Sequence, residues 1–436
     1  MSFINIAAKN FKSFKNLNID LKGLNILIGP NAAGKSNFTE IFRFFKDLNE
    51  LDLRNAISKQ GGKKYLLNAN SQNNKFSVGF TYRHEENSNL KEKFEHAEKT
   101  RVNMRSIIQS KDKNLLGVVL ETSYYLEILF KEDNGFQIIE EKISYHCEFF
   151  KILKDKKAFI GYGNIDIQKS DEKPKIDFSN VEYSDDDENI EKDEFIPDIL
   201  NDLLENFDME NFDSLLTSPL SLIPIGVLND ILQIPIYDID PKSCKMLAPI
   251  TGKIDLEENC ENLPVILQNI ISNPPEKKKL MQLISNILPF IKDIDIDTFV
   301  DKSLTFKIKE TFSSSDFPAL LLSDGTINIT ALIIALYFEH DHFSIFEEPE
   351  RNIHPHLISR VYDFFKDVSK NNKQILITTH NPEFIKDSNL EDILFISRDK
   401  EGYSTINRPE ESEKVKQFLK NEIGINYLFI NDLLGE

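Results

Sequence analysis

Between Gly29 and Ser36 the sequence reads GPNAAGKS, a G-x-x-x-x-G-K-S spacing that suits one chemical task, the holding of a polyphosphate. Glycines permit the backbone angles that turn successive N–H groups inward, and such a concave row at a helix N-terminus is an anion site. Gly29, Pro30, Asn31, Ala32, Ala33 and Gly34 are expected to line the cradle, with Asn37 just behind it. Lys35 would set its ammonium on the β- and γ-phosphates of a nucleotide, and the Ser36 hydroxyl would face Mg²⁺.

Three later stretches carry groups that could complete such a site. In HFSIFEEPERNIHP a short apolar run ends in Glu347 and Glu348. One carboxylate could hold Mg²⁺ or its water, and the other could polarise the water that attacks the γ-phosphate. A polar strand end is the plainer reading of the pair. QILITT runs into His380, which could meet the γ-phosphate or that water, although a histidine there can also be structural. In LLLSDGTINIT, Ser323, Asp324 and Gly325 precede an apolar helix expected to begin at about Ile327, so Ser323 reads either as an N-cap or as part of an anion site. His354 and His356 have no third partner in view for zinc, and Cys147, Cys244 and Cys260 are scattered without disulfide or zinc spacing.

The elements that must position these groups follow from hydrophobic period. Ile4 and Ile6, then Leu17, Ile19 and Leu21, then Leu24 to Ile28 predict three strands, the last leading into the phosphate loop. Phe38, Ile41, Phe42 and Phe45 predict the helix after it. Leu263, Ile266, Ile270 and Ile271, and after the Asn273-Pro274-Pro275 breaker Leu280, Leu283, Ile284, Ile287 and Leu288, predict two amphipathic helices. Leu304, Phe306 and Ile308 alternate as a strand. Between about Arg83 and Asp230 the text becomes charged and irregular, with strands expected at Tyr124 to Phe130 and Phe136 to Tyr145. Its acidic run from Asp185 to Glu194 reads as a hydrated loop and makes a poor calcium loop.

Composition sets the class. The chain has 436 residues, 40% of them hydrophobic, with 33 Phe, which is ample core for a globular protein of two to three domains, or of one large domain with insertions. No apolar run reaches membrane-spanning length, and the N-terminus lacks the order of a secretory signal, so a cytoplasmic protein is expected. A net charge of −19 argues against coating nucleic acid through overall charge. Lys277 to Lys279, or Lys9, Lys12 and Lys15, could form a local basic track or a solvated face.

NFKSF at 10–14, GPNAAGKSN, GG at 61–62, LSDGT at 322–326, IFEEPERNIHP at 345–355 and TTHNP at 378–382 resemble, in that order, the ABC-type ATPases of the SMC, RecF and OLD class, in particular the compact bacterial ones labelled AAA-family. The resemblance covers residues 1–82 and 235–436. It implies an α/β P-loop NTPase, an ABC-type ATPase head with a mixed sheet, an antiparallel β subdomain and an inserted α+β region. Residues 1–82 and 301–436 would be the two parts of the head, 83–230 the insertion and 231–300 a helical subdomain.

It further implies ATP and Mg²⁺ as cofactors and a head-to-tail dimer. Gly34, Lys35 and Ser36 would act in cis, while Ser323, Asp324 and Gly325 would reach the γ-phosphate on the other subunit. Glu347 would be the Walker B acid beside Ser36 on the metal, Glu348 the catalytic base, His380 the switch histidine, and Arg351 and Asn352 part of the segment linking the two sites. Glu347 replaces the usual aspartate and Asp324 the usual glycine, and the family's magnesium-ligating glutamine is not identifiable, Gln60 and Gln72 being the candidates. The stretch beyond His380 is too short for the Toprim nuclease of OLD relatives and carries no D-x-D. The resemblance therefore implies an ATPase switch that controls a separate effector, a nuclease or toxin of an antiphage system. A RecF-like clamp acting on DNA is the other reading; a transporter motor with a membrane partner fits poorly.

Overall fold

The computed structural model describes residues 2–84, 107–109, 115–132, 135–153, 156–169, 175–183, 214–216, 228, 232–250, 253–300, 302–371, 373–421, 423–431, 433 and 434; the acidic run at 185–194 lies outside them. The strands in chain order are β1 (Ser2–Phe11), β2 (Phe14–Asp20), β3 (Leu24–Ile28), β4 (Lys75–Arg83), β5 (Ile107–Gln109), β6 (Leu115–Phe130), β7 (Phe136–Leu153), β8 (Lys156–Lys169) and β9 (Lys175–Tyr183). They continue with β10 (Ile236–Tyr237), β11 (Ala248–Pro249), β12 (Ile291–Thr298), β13 (Ser303–Glu310), β14 (Asp316–Pro318), β15 (Phe343–Glu347), β16 (Gln374–Thr379), β17 (Ile393–Arg398) and β18 (Ser404–Asn407). The chain divides into two units, one of residues 1–21, 37–234 and 399–405, the other of 22–36, 235–398 and 406–436.

The first unit is built on an antiparallel sheet in the order β2-β1-β4-β6-β7-β8-β9, with β5 beside β6. Period-2 alternation buries one face, as Ile143, Tyr145, Cys147 and Phe149 of β7 show. Against the sheet lies the helix Lys35–Glu50, whose Phe38, Ile41, Phe42 and Phe45 are fully buried. Its ring pairs meet edge to face, Phe45 with Phe80 at 5.1 Å and Phe3 with Phe42 at 5.9 Å. Each such pair contributes about 0.5–1.5 kcal/mol beyond area burial. The boundary expected at 82–83 falls within β4, and β6 and β7 run well beyond the short strands expected in the 83–230 segment.

The second unit holds a parallel sheet, β10-β15-β16-β3-β17, with β18 as the last strand in the order. A smaller antiparallel sheet joins β11, β13 and β12, with β14 on β13. The segment expected to be helical, 231–300, contains the helices Leu263–Ser272 and Pro274–Ile287 together with β10, β11 and β12. The helix Asp324–Tyr337 starts three residues before the expected Ile327, because Ser323 caps it, and Thr326 to Leu336 are all buried. A helix apolar all round is a core helix, and this one sits in the main hydrophobic cluster of the unit. Among the described residues no helix is long and apolar enough to cross a membrane.

Candidate functional site

Parallel strands deliver their C-terminal ends to one edge, where ligands bind in open α/β sheets. Ile28 of β3 pairs with Thr379 of β16, Glu347 of β15 with Thr378, and Tyr237 of β10 with Phe346. The residues that follow these strands are Gly29, His380, Glu348 and Asp238. Three of the four are residues that the sequence singles out.

The loop after β3 is shaped by two positive-φ residues, Ala32 at 62° and Gly34 at 117°. A Cβ on Gly29 would stand 2.2 Å from the carbonyl oxygen of Ile396, so only glycine lets β3 leave the sheet there. Ala33 N–H donates to the Pro30 carbonyl at 3.2 Å, and Arg398 Nε holds the Ala32 carbonyl at 3.0 Å. Lys35 Nζ donates to the Gly29 and Pro30 carbonyls at 2.9 and 3.1 Å. Burial pushes the Lys35 ammonium below its ordinary pKa, while the nearby carboxylates of Glu348 and Glu350 oppose that shift. Pro30, Asn31, Ala32 and Ser36 are exposed, and Ala33 and Gly34 are buried. The Asn37 amide donates to Ser13 Oγ at 2.8 Å within the first unit.

The turn after β15 is tied to the end of β16 at three points. Glu348 N–H donates to the Thr378 carbonyl at 2.8 Å, the Thr379 hydroxyl donates to Glu350 Oε1, and His380 Nδ1 lies 2.8 Å from Glu348 Oε1. Glu348 has φ 46° and Asn352 φ 64°, conformations that cost side-chain-bearing residues about 1–3 kcal/mol each and persist where surrounding bonds dictate them. Arg351 bridges the Glu348 carboxylate at 3.3 Å and Asp238 at 2.9 Å. Burial raises Glu348's proton affinity, but the His380 and Arg351 interactions outweigh it and hold the carboxyl below its ordinary pKa. Glu350 is 5% exposed; burial raises its pKa, and its Oε2 has no partner.

The same turn is braced from the helix Asp324–Tyr337. Asn328 Nδ2 donates to the carbonyls of Pro349 at 3.3 Å and Arg351 at 2.5 Å. A Cβ on Gly325 would meet the Asn352 carbonyl at 2.6 Å. Ser323 Oγ accepts from Thr326 N–H at 3.2 Å, the N-cap arrangement, and Asp324 pairs with Lys245 Nζ at 2.5 Å.

Other candidates resolve into local structure. His354 caps the helix Pro355–Lys370 by accepting from His356 N–H, and the described residues contain no group of three or more His, Cys, Asp or Glu suited to a metal ion. Gln60 is buried with its Oε1 unpartnered, and Gln72 is exposed. Lys12 pairs with Glu40, Lys15 with Glu401 and Lys277 with Asp293, so these lysines are engaged by carboxylates.

Sequence reading misses Asp238, Lys245, Asn328, Glu350, Thr379 and Arg398. The third acid of EEPE and the residue before His380 were visible in the motifs. The others are single polar residues whose partners lie far away along the chain.

Comparison with known proteins agrees with this architecture. A crystal structure of an SMC head bound to the C-terminal winged-helix domain of ScpA superposes with a TM-score of 0.50 at 14% identity, covering 93% of this chain and 98% of that one, a likeness of fold. Endonuclease GajA of Bacillus cereus (strain VD045) is 45% identical over 47 residues, 11% of this chain and 8% of that protein. The chromosome partition protein Smc of Methanocaldococcus jannaschii is 35% identical over 85 residues, 17% of this chain and 7% of that protein. These segments are thus small parts of the two curated relatives. The family model described as an AAA ATPase domain matches residues 1–385, and the chain belongs to that family.

Proposed function

We propose that this chain binds and hydrolyses ATP as a dimeric switch. The observation that carries the reading is the meeting of a lysine-bearing phosphate loop with an ionised, histidine-paired carboxylate, Glu348, at one sheet edge. The positive-φ loop and the Lys35 ammonium suit the nucleotide's phosphates. Ser36 and Glu347 would hold Mg²⁺, which when bound neutralises charge on the β- and γ-phosphates. Glu348 would accept the proton of the attacking water, with His380 and Arg351 fixing its carboxylate. Ser323 and Gly325, at the start of their helix, would act on nucleotide held by a second copy of the chain.

The opening and closing of that dimer would be the signal passed to a separately encoded effector, a nuclease or toxin of an antiphage system. The short match to Endonuclease GajA supports this direction. The short match to a chromosome partition protein favours the other reading, an ATP-dependent DNA-maintenance clamp.

The test is ATP binding, phosphate release and dimerisation of the purified chain, with Glu348→Gln in parallel. The variant should bind ATP, turn it over slowly and accumulate as a dimer. A wild-type chain that neither binds nor hydrolyses ATP would overturn the reading. ATP-strengthened, salt-dependent DNA binding would favour the clamp over the effector switch.

A further inference from the structure

We infer that Glu350 is a positioning residue: through the Thr379 hydroxyl it fixes the backbone on both sides of His380, so that the imidazole meets Glu348. This inference rests on the reading of Glu348 and His380 as parts of an ATPase site.

The Thr379 hydroxyl is fully buried and used in both directions. It donates to Glu350 Oε1 and accepts from Asn381 N–H at 3.0 Å, so it spans the residue between them, His380. Glu350 is held in turn from outside the β16 end. Its own carbonyl accepts from Ile353 N–H at 3.1 Å, and the carbonyls of its two neighbours, Pro349 and Arg351, both receive the Asn328 amide. A buried carboxylate in this position needs a reason, because an apolar side chain would avoid its desolvation. A serine or threonine hydroxyl at a strand end ordinarily finds a backbone partner. Here it has one, Asn381 N–H, and the bond it donates goes to a side chain on the turn that also carries Glu348 and Arg351. The bond thus ties two elements together at the point where the His380–Glu348 contact must form. It also makes the path from the Asp324–Tyr337 helix to His380 continuous, running through Asn328, the backbone around Glu350, and Thr379.

The test compares substitutions that keep or remove this one bond. Thr379→Ser keeps the hydroxyl and Thr379→Val removes it at similar volume; Glu350→Gln keeps an acceptor oxygen and Glu350→Leu does not. Misplacing a reacting group by about 1 Å costs up to about 100-fold, so Thr379→Val and Glu350→Leu should lower kcat by about tenfold or more while leaving the Kd for ATP within about twofold. Thr379→Ser and Glu350→Gln should stay within about threefold of wild type. A merely structural role would not separate kcat from ATP affinity, nor rescue with the hydroxyl. Near-normal kcat in Thr379→Val, or Thr379→Ser as impaired as Thr379→Val, overturns the inference. Should Thr379→Val fail to fold, the Glu350→Gln and Glu350→Leu pair decides, and equal activity of those two overturns it. Glu348→Gln is run alongside. If it hydrolyses ATP normally, the reading of the site fails; if it is slow while Thr379→Val is normal, only the positioning role fails.

Discussion

His380 Nδ1 lies 2.8 Å from one oxygen of the Glu348 carboxylate, and an Arg351 guanidinium nitrogen lies 3.3 Å from the other. A carboxylate gripped at both oxygens by donors is oriented as well as ionised. Glu348→Gln keeps the shape and removes the charge, so phosphate release should fall by about 100-fold or more while ATP binding persists. Because Glu348's pKa is lowered, the fall in activity from its protonation should lie below the pH of an ordinary carboxylate. Arg351→Ala should move that fall to higher pH, read from the pH profile of kcat.

Lys35 is held by two carbonyls of its own loop, bonds that it would exchange for phosphate oxygens under the proposed nucleotide-binding role. Lys35→Ala should lose nucleotide binding without loss of fold. Isothermal titration with ATP and a thermal melt check this together; normal ATP affinity would contradict the loop's role.

Gly325 has no room for a Cβ, since the Asn352 carbonyl would stand 2.6 Å away. Gly325→Ala must push the helix start away from the turn that carries Glu348. Overpacking of this kind costs about 1–3 kcal/mol. ATP binding should survive in the variant while hydrolysis is lost.

Asp324 places a negative charge where a phosphate is proposed to approach, and Lys245 balances it at 2.5 Å. Lys245→Ala should slow hydrolysis by leaving that charge uncompensated, and adding Asp324→Asn should recover most of the loss. A double-mutant cycle on kcat/KM measures the coupling; additive losses would refute it.

Glu339 offers a prediction about stability. Burial, helped by the charges of Asp341 and Asp255 and opposed by Lys373, lifts its pKa from 4.5 to about 7. The folded state therefore binds this proton more tightly than the unfolded chain. The contribution is fully present below pH 4.5 and is lost as pH rises through about 7. Glu339→Gln should flatten the fall in melting temperature between pH 4.5 and about 7, the interval between the two pKa values. Parallel curves for wild type and variant would contradict it.

The glycine-rich loop, the paired acids and His380 were legible because each is a local pattern. A strand end, a turn and a helix start must be contiguous in sequence, and the hydrophobic periods around them name the elements. The two helices either side of Asn273 were legible for the same reason. The helix after Ser323 begins three residues ahead of its apolar pattern, because its cap and first turn are Ser323, Asp324, Gly325 and Thr326 and the apolar run starts only at Ile327. The full length of β6 and β7 is hard to read linearly because Glu141 faces the core while Tyr125, Leu129 and Phe150 face outward, which interrupts the alternation of apolar and polar residues.

By itself the sequence determined the order of the local motifs, a glycine-rich loop followed by carboxylates and a histidine, since those patterns are contiguous along the chain. Only the tertiary structure decided what holds them. Arg351 reaches Asp238, Lys245 reaches Asp324, and Asn328 braces the turn around Glu350, each across many residues of chain. Such pairs leave no periodic trace, because hydrogen bonds depend on a few ångströms of space and one residue of each pair carries no mark of the other.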